Sequence, residues 1–318
     1  MSDRPDPFDG NALDLVVPAT LAGLRVDRVV AMLTGRSRRD VAAVLARGAV
    51  TLDERTVARA SQVVGTGQHL VARLGSPEGP GVAADASVVV EVVYEDEDLV
   101  VVNKAPGQVV HPGSGHDDAT LVAGLLARYP VLAELARDGV CEAQRPGIVH
   151  RLDKGTSGLL VVALTEHAFR DLAAQMAQRR VSRTYLALAE GHLTDEAGVI
   201  DAPIGRSART PTLMTVRADG RPARTHYEVL ERVSRPHAAT LLRLRLETGR
   251  THQIRVHLAA IGHPVVNDTR YGHRRDQRLA PERLFLHASQ LVFTHPRTGD
   301  TVTVQADLPE DLRVARGA

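Results

Sequence analysis

The sequence predicts an α+β protein in which a smaller αβ unit precedes a mixed sheet with helices packed on it. The chain of 318 residues is long enough for two domains. Its composition, 43% hydrophobic and 24% charged, is typical of soluble proteins with buried cores. Segments with strand and helix periodicity alternate without the regular βαβ spacing of a parallel sheet. A stretch rich in Gly, Pro and Ser at residues 76–87 is interpreted as the linker between the two parts.

Residues 19–75 predict two short helices followed by a small sheet. The first helix has apolar residues at helical spacing and ends at Gly35. Ser37 is predicted to cap the second helix, RRDVAAVLARG, which Gly48 ends. The segments AVTLDE and QHLVARL then read as strands on either side of a turn.

Residues 88–318 predict the larger domain. Two strands flank the acidic turn EDED, and LLRLRLE shows the strict alternation of a half-buried strand. In THQIRVHLAAIG, apolar residues recur at helical spacing and Gly262 ends the helix. The apolar face of that helix is predicted to contain Ile254, Leu258 and Ile261. Further helices are predicted at 119–128 and 166–180, and strands at 159–164 and 184–189.

The charge distribution predicts a polyanionic partner. The net charge of the chain is only +1, but residues 19–75 contain nine arginines against four acidic residues. Residues 206–278 contain fifteen arginines against six, whereas residues 1–18 are acidic and predicted to be a flexible tail. Two basic zones indicate a polyanion held by two surfaces, and solvated arginine-rich helix faces are the alternative. On the second helix of the small unit, Arg38, Arg39 and Arg47 lie away from the apolar stripe.

Several classes of protein are excluded by what the sequence lacks. No apolar run approaches the roughly 20 residues of a membrane span, and the first ten residues lack the apolar stretch of a signal peptide. A single cysteine, Cys141, fits a reducing cytoplasm. There is no phosphate loop or dinucleotide-binding motif, and His252 and His257 are poorly spaced for shared metal ligation. We therefore expect no metal, nucleotide or other cofactor, and no membrane partner.

One cluster of charged residues invites a catalytic interpretation. In GIVHRLDKGTSGLLVVAL, Asp153 directly precedes a glycine-containing turn and an apolar strand. By its spacing alone, Asp153 is either a turn or capping residue or a carboxylate that acts as nucleophile or base. The second role needs cations that keep the carboxylate ionised, and Arg151, Lys154 and Arg255 are the candidates. Lys154 and Lys104 are the only two lysines of the chain, and the sequence assigns neither a role.

Four ordered motifs resemble the RluA-type pseudouridine synthases. HRLDKGTSGLLVVA resembles the central motif of that family, YEDEDLVVVNKAPGQVVHPG its opening strand pair, RTYLALAEGH its tyrosine motif and LETGRTHQIRVHLA its arginine motif. The similarity spans roughly residues 88–310 and is closest to the RluD branch, which modifies large-subunit ribosomal RNA. The N-terminal unit resembles an S4 RNA-binding domain. The resemblance implies a mixed, mostly antiparallel central sheet.

The resemblance also implies roles for individual residues. Asp153 would be the catalytic aspartate, and Tyr185 would stack on the target uracil and help to remove its C5 proton. Arg255 would pair with Asp153, and Arg151 would enter the space left by the flipped uridine. Whether Asp153 attacks the sugar, attacks C6 or acts as a base at the ribose stays open. Further RNA-binding candidates are Arg38, Arg39, Arg47, Arg250 and His252.

Two departures from the family pattern are visible. The proline of the opening N-K-P motif comes one residue late, in Asn103–Lys104–Ala105–Pro106, which predicts a minor loop change. In the S4-like unit, Asp53 replaces the usual amide of the turn and is expected to add negative charge where RNA approaches.

The sequence thus predicts a cytoplasmic enzyme that isomerises uridines to pseudouridine in 23S ribosomal RNA of the assembling large subunit. The alternatives are a paralogue that acts on transfer RNA or another ribosomal site, and a non-catalytic S4-type protein that binds RNA or the ribosome. The predicted domains are an acidic tail (1–18), an S4-like domain (19–75), a linker (76–87) and a catalytic domain (88–318). The oligomeric state is not readable from the sequence.

Overall fold

The chain divides into two compact units. The computed structural model describes residues 12–34, 38–74, 81–112, 119–210, 212–272 and 275–316. The smaller unit comprises residues 1–81 and 136–143, and the larger unit comprises residues 82–135 and 144–318. None of the helices in these described stretches is both long and apolar enough to cross a membrane.

The smaller unit contains two helices and a four-stranded antiparallel sheet with strand order β1-β4-β2-β3. The two predicted helices and the two predicted strands are present in it, and Gly48, at φ 70°, follows the end of the second helix. The predicted residues Gly35 and Ser37 lie outside the described residues. The elements are β1 (Ala12–Val16), α1 (Val26–Thr34), α2 (Arg38–Ala46), β2 (Val50–Leu52), β3 (Arg55–Thr56) and β4 (His69–Arg73).

The prediction of a flexible tail over residues 1–18 is wrong from residue 12 onward. Strand β1 pairs with β4 over its whole length, and Leu13 and Val17 are fully buried in the core of the unit. The physical reason is the alternation in LDLVV: Leu13 lies on the core face of the strand, Val17 continues the alternation directly after it, and Asp14 points outward to His69. Residues 1–11 lie outside the described part of the chain.

Asp53 has a structural role in the smaller unit. Asp53 and Glu54 form the turn between β2 and β3, both with positive φ (49° and 64°). The Asp53 carboxylate accepts hydrogen bonds from the backbone N–H of His69 and from Gln68 Nε2, both at 2.8 Å. These bonds hold the turn against β4, and they lower the pKa of Asp53.

The predicted linker is described only from residue 81 onward, and residues 82–87 belong to the larger unit. The linker prediction is wrong for these residues because they are bonded to it: the Asp85 N–H donates to the carbonyl of Ala123 at 2.9 Å.

From residue 82 onward, the helices and strands that the sequence analysis predicts are present, and eight further elements that it did not predict lie among them. The elements are β5 (Val92–Glu95), β6 (Leu99–Lys104), α3 (Leu121–Arg128), α4 (Val131–Arg137), β7 (Ser157–Ala163), α5 (Glu166–Ala177), β8 (Ser182–Glu190), β9 (Ala197–Asp201), β10 (Ile204–Arg206), β11 (Met214–Val216), β12 (Arg224–Val233), β13 (Ala239–Leu246), α6 (Gln253–Ala260), β14 (Leu286–Thr294), β15 (Thr301–Gln305) and α7 (Glu310–Arg316).

The larger unit is built on a nine-stranded sheet with the order β5-β6-β7-β14-β8-β13-β12-β9, and β15 pairs with β14. Only β7 and β14 pair in parallel among the described strands, so the predicted mixed, mostly antiparallel sheet is confirmed. Strand β7 is buried along its whole length, as its continuous apolar run SGLLVVA requires. Strands β10 and β11 form a separate two-stranded sheet.

Helix α6 differs from the amphipathic helix predicted over this segment. Ile254 and Leu258 are buried as predicted, but Ile261 follows the end of the helix and is 40% exposed. The helix is buried on its polar sides too, because its polar residues have internal partners: both ring nitrogens of His257 are hydrogen-bonded, to Thr225 and to the carbonyl of Ala202. Arg255 is therefore directed into the protein and not towards solvent.

Candidate active site

A cleft of about 570 Å³ in the larger unit brings together six of the nine residues singled out in the sequence. Seven arginines but only two carboxylates, Asp153 and Glu247, line it, so the cleft is strongly electropositive. Its predicted residues are Arg151, Asp153, Tyr185, Arg250, His252 and Arg255.

The three remaining candidates belong to the smaller unit. Arg47 is exposed and donates from Nη2 to the carbonyl of Leu74 at 3.2 Å. Arg38 and Arg39 start α2, but their side chains lie outside the described part of the structure.

The turn that carries Asp153 is held in place by glycines. The turn closes with a hydrogen bond from the Thr156 N–H to the Asp153 carbonyl, immediately before β7. A Cβ on Gly155 would lie 2.1 Å from the carbonyl oxygen of Glu282, and one on Gly158 would lie 2.3 Å from that of Ala288. The backbone therefore approaches its neighbours more closely than any side chain allows, which fixes the position of Asp153.

Lys104 helps to hold the turn that carries Asp153 through a hydrogen bond to the carbonyl of Lys154. Its side chain is 1% exposed, and Nζ donates to the carbonyls of Ala105 (2.8 Å), Gln108 (2.9 Å) and Lys154 (3.3 Å). Three acceptors match the three donors of an ammonium group, which a planar guanidinium would not match. Burial lowers the pKa of Lys104 to about 7. Lys154 itself forms an ion pair with Glu282 at 3.0 Å.

Arg255 holds the Asp153 carboxylate. Its Nη1 donates to Asp153 Oδ2 at 3.1 Å, and its Nε and Nη2 form a bidentate pair with Asp268 at 2.7 and 2.9 Å. Arg255 is 5% exposed and Asp268 is fully buried, whereas the side chain of Asp153 is 19% exposed and faces the cleft. Burial by itself would lower the pKa of Arg255, but the two carboxylates outweigh it and raise the pKa above its ordinary value.

Asp268 is a site residue that the sequence analysis missed. Besides Arg255, its Oδ1 accepts the backbone N–H groups of Arg270 and Tyr271 at 3.0 and 3.2 Å. The sequence feature that could have revealed Asp268 is the polar pair Asn267–Asp268, which directly follows the apolar run PVV. Polar residues next to a buried segment need partners inside the protein.

His252 is the second neighbour of Asp153. Its Nδ1 lies 2.7 Å from the hydroxyl oxygen of Tyr271, which accepts the Met214 N–H at 3.0 Å. Its Nε2 lies 4.0 Å from Asp153 Oδ1. Burial lowers the pKa of His252, which favours the neutral ring. Tyr271 was also missed in the sequence analysis. The Arg255 guanidinium lies over its ring, with Cζ 5.0 Å from the ring centroid.

Tyr185 lies on β8 in the middle of the sheet, paired with Leu244 on one side and Ala288 on the other. It is 5% exposed, and its side chain lines the cleft. Burial raises the pKa of Tyr185, so the phenol stays protonated at neutral pH. A ring in this state can stack or donate a hydrogen bond but is a poor base.

Two further cations lie at the cleft. Arg151 is exposed, and its Nη1 donates to His111 Nε2 at 3.4 Å. Arg250 is half-buried and donates from Nε to the carbonyl of Pro222 at 3.0 Å. No described carboxylate pairs with either guanidinium, so both charges are available to a polyanion.

The chain is similar to known proteins over almost all of its length. The sequence profile described as RNA pseudouridylate synthase matches residues 98–260. The "Ribosomal large subunit pseudouridine synthase D" of Nitrosomonas europaea is 42% identical over 95% of this chain and 86% of its own length. The protein of the same name from Pseudomonas aeruginosa is also 42% identical, over 93% of this chain and 92% of its own. The solved structure of human RNA Pseudouridylate Synthase Domain Containing 1 is 31% identical, with a TM-score of 0.56 over 70% of this chain and 85% of that one.

Proposed function

Because this chain belongs to the RNA pseudouridylate synthase family, and is therefore an isomerase, we propose that it converts specific uridines of 23S ribosomal RNA to pseudouridine. The observation that carries this proposal is the ion pair between Asp153 and Arg255 in a cleft lined by seven arginines. The names of the large-subunit relatives support ribosomal RNA as the substrate.

In this proposal Asp153 is the catalytic carboxylate. Arg255 donates to one of its oxygens and aims the carboxylate into the cleft, and His252 Nε2 lies 4.0 Å from its other oxygen. The carboxylate attacks the sugar, attacks C6 of the uracil, or removes a proton from the ribose. Each route needs an anion beside the flipped nucleotide and no redox partner.

Tyr185 stacks on the target uracil. Its position in the buried part of the cleft supports this role, and its raised pKa favours stacking over removal of the C5 proton by a phenolate. The exposed Arg151 takes the place of the flipped uridine, and Arg250 and His252 contact the RNA strand beside it.

Release of tritium from C5-labelled uridine tests the proposed activity. We expect stoichiometric release from a 23S transcript, because the C5 hydrogen is lost when the base rejoins the ribose through C5. Release from transfer RNA but not from the 23S transcript would instead favour the alternative, a paralogue that acts on transfer RNA. RNA binding without any release would favour the non-catalytic alternative. Mapping pseudouridines in total RNA from a strain that lacks the protein then identifies the modified positions.

We further propose that the smaller unit is an S4-like RNA-binding domain that docks the substrate through α2. Its Arg38, Arg39 and Arg47 belong to a unit rich in arginine, and Arg47 is exposed. The proposed partner is the assembling large subunit in the cytoplasm.

Changing these three arginines together to glutamine is expected to weaken RNA binding and flatten its salt dependence. Each lost phosphate contact reduces the slope of log K against log salt by about 0.9 in magnitude. The rate at saturating RNA should not change. The matched control is Arg25→Gln, because Asp27 already neutralises Arg25 through two hydrogen bonds. An unchanged slope in the triple variant would show that α2 does not contact phosphates.

A further inference from the structure

Arg183 is a buried cation that the fold leaves unpaired. It lies on β8 two residues before Tyr185, so both side chains are on the same face of the strand, and both line the cleft. Arg183 is 6% exposed, and its Nε is buried. No carboxylate, carbonyl or hydroxyl of the described residues accepts a hydrogen bond from this Nε.

The other buried arginines show what the fold normally does with such a charge. Arg255 pairs with Asp268, and Arg283, 3% exposed, donates from Nε to Asp311 at 2.6 Å. Within the described residues, Arg183 is thus the one arginine that is buried without an acidic partner. A buried charge without a partner destabilises the fold, and such groups persist where a ligand completes them.

Two neighbours of the cleft add unsatisfied groups of the same kind. His150 Nε2 accepts the Val161 N–H at 3.1 Å, so the proton of the neutral ring is on Nδ1, which is buried and has no acceptor among the described residues. Burial and the charge of Arg183 lower the pKa of His150 to about 3, which keeps the ring neutral. The hydroxyl of Thr156 is also buried without a partner in the described structure. Arg183 Nε and His150 Nδ1 are therefore two buried donors at the cleft that have no acceptor among the described residues.

We propose that Arg183 donates hydrogen bonds to a carbonyl oxygen of the target uracil and stabilises the negative charge that the ring carries during the reaction, a role that rests on the proposed function. When the N1–C1′ bond breaks, its electron pair stays on N1 and is delocalised onto O2 and O4. If Asp153 instead adds to C6, the electron pair of the C5–C6 double bond moves towards O4. On either route the carbonyl oxygens gain charge, and a fixed guanidinium beside them lowers the barrier without giving up a proton.

The burial of Arg183 favours the base over a phosphate as its ligand. Backbone phosphates remain hydrated near the surface, where the exposed Arg145, Arg151 and Arg221 line the same cleft. The group that enters the buried part of the cleft is the flipped base, and uracil brings two carbonyl acceptors to it.

Arg183→Met tests this role under single-turnover conditions with C5-tritiated 23S transcript. We expect the rate at saturating RNA to fall by about 10²–10³-fold, the loss typical of one oxyanion donor. The dissociation constant for RNA and its salt dependence should stay within about twofold, since no phosphate contact is lost. Arg183→Lys keeps the charge but not the fork of donors, and we expect it to recover only part of the rate.

The same variants separate this role from a structural one. Arg183→Met should keep or raise the midpoint of thermal unfolding, because it removes an unpaired buried charge, whereas Arg283→Met should lower it, because it breaks the pair with Asp311. A lowered midpoint in Arg183→Met, an unchanged rate, or weaker binding with a shallower salt slope would each overturn the proposal. If the wild-type protein released no tritium, the proposed function would fail first, and the role of Arg183 would fall with it.

Discussion

Asp153→Asn is expected to abolish pseudouridine formation, with a fall in the single-turnover rate of at least about 10⁴-fold. The amide has the size of the carboxylate and can still accept from Arg255, but it has no negative charge with which to attack carbon or remove a proton. RNA affinity should stay within a few fold, because the arginines that line the cleft remain. Tritium release from C5-labelled 23S transcript measures the rate, and filter binding measures the affinity.

Asp300→Asn is a suitable control for Asp153→Asn, since Asp300 is exposed and does not line the cleft. It should react at the wild-type rate. Substantial turnover by the Asp153 variant would remove the carboxylate from the mechanism, and with it the interpretation of the Asp153–Arg255 pair as the catalytic centre.

Asp268→Ala is expected to lower the free energy of unfolding by about 3–5 kcal/mol and to reduce turnover at the same time. The substitution leaves the buried Arg255 guanidinium with Asp153 as its single carboxylate partner and removes the acceptor of two backbone N–H groups. Arg255 then loses the bidentate contact that aims it, so Asp153 is less well positioned. Urea denaturation measures the stability, and tritium release measures the rate.

The double variant Arg255→Met with Asp268→Leu separates the two effects. Replacing both charges by apolar side chains should restore much of the lost stability, apart from the contribution of the two backbone N–H groups. Turnover should not recover, because Asp153 still lacks its cation. Equal activity of the double variant and the wild type would mean that Arg255 is a structural residue without influence on Asp153.

The sequence predicted much of the candidate site because its residues occur in dense local motifs. Asp153, Tyr185 and Arg255 each lie in a segment that resembles one family motif, and the cleft contains all three. The assignment of Asp153 was ambiguous from its own segment. The partner that supports a catalytic role is Arg255, 102 residues further along the chain.

The residues that the sequence did not reveal act through contacts of the folded chain. Asp268 and Tyr271 belong to a loop whose sequence looks like an ordinary polar turn. Their roles become visible only through their contacts with Arg255 and His252 in the folded chain. Arg183 belongs to the motif RTYLALAEGH, but only the tertiary structure shows that its Nε is buried without a hydrogen-bond partner among the described residues. Lys104 likewise acquires a role only when three carbonyls converge on its ammonium group.

By itself, the sequence determined the helices and strands with clear periodicity, the mixed sheet and the family, because periodicity and short motifs are set by neighbouring residues. It did not reveal α4, β9 to β12, β14, β15 or α7. The tertiary structure decided that residues 12–16 are part of a sheet, that α6 is buried on its polar sides, and which buried arginines have partners. These outcomes depend on groups that are distant in sequence. A buried charge stabilises the fold only where the folded chain places an acceptor beside it. A buried charge without such an acceptor is left to bind a substrate, and the sequence alone does not show which case applies.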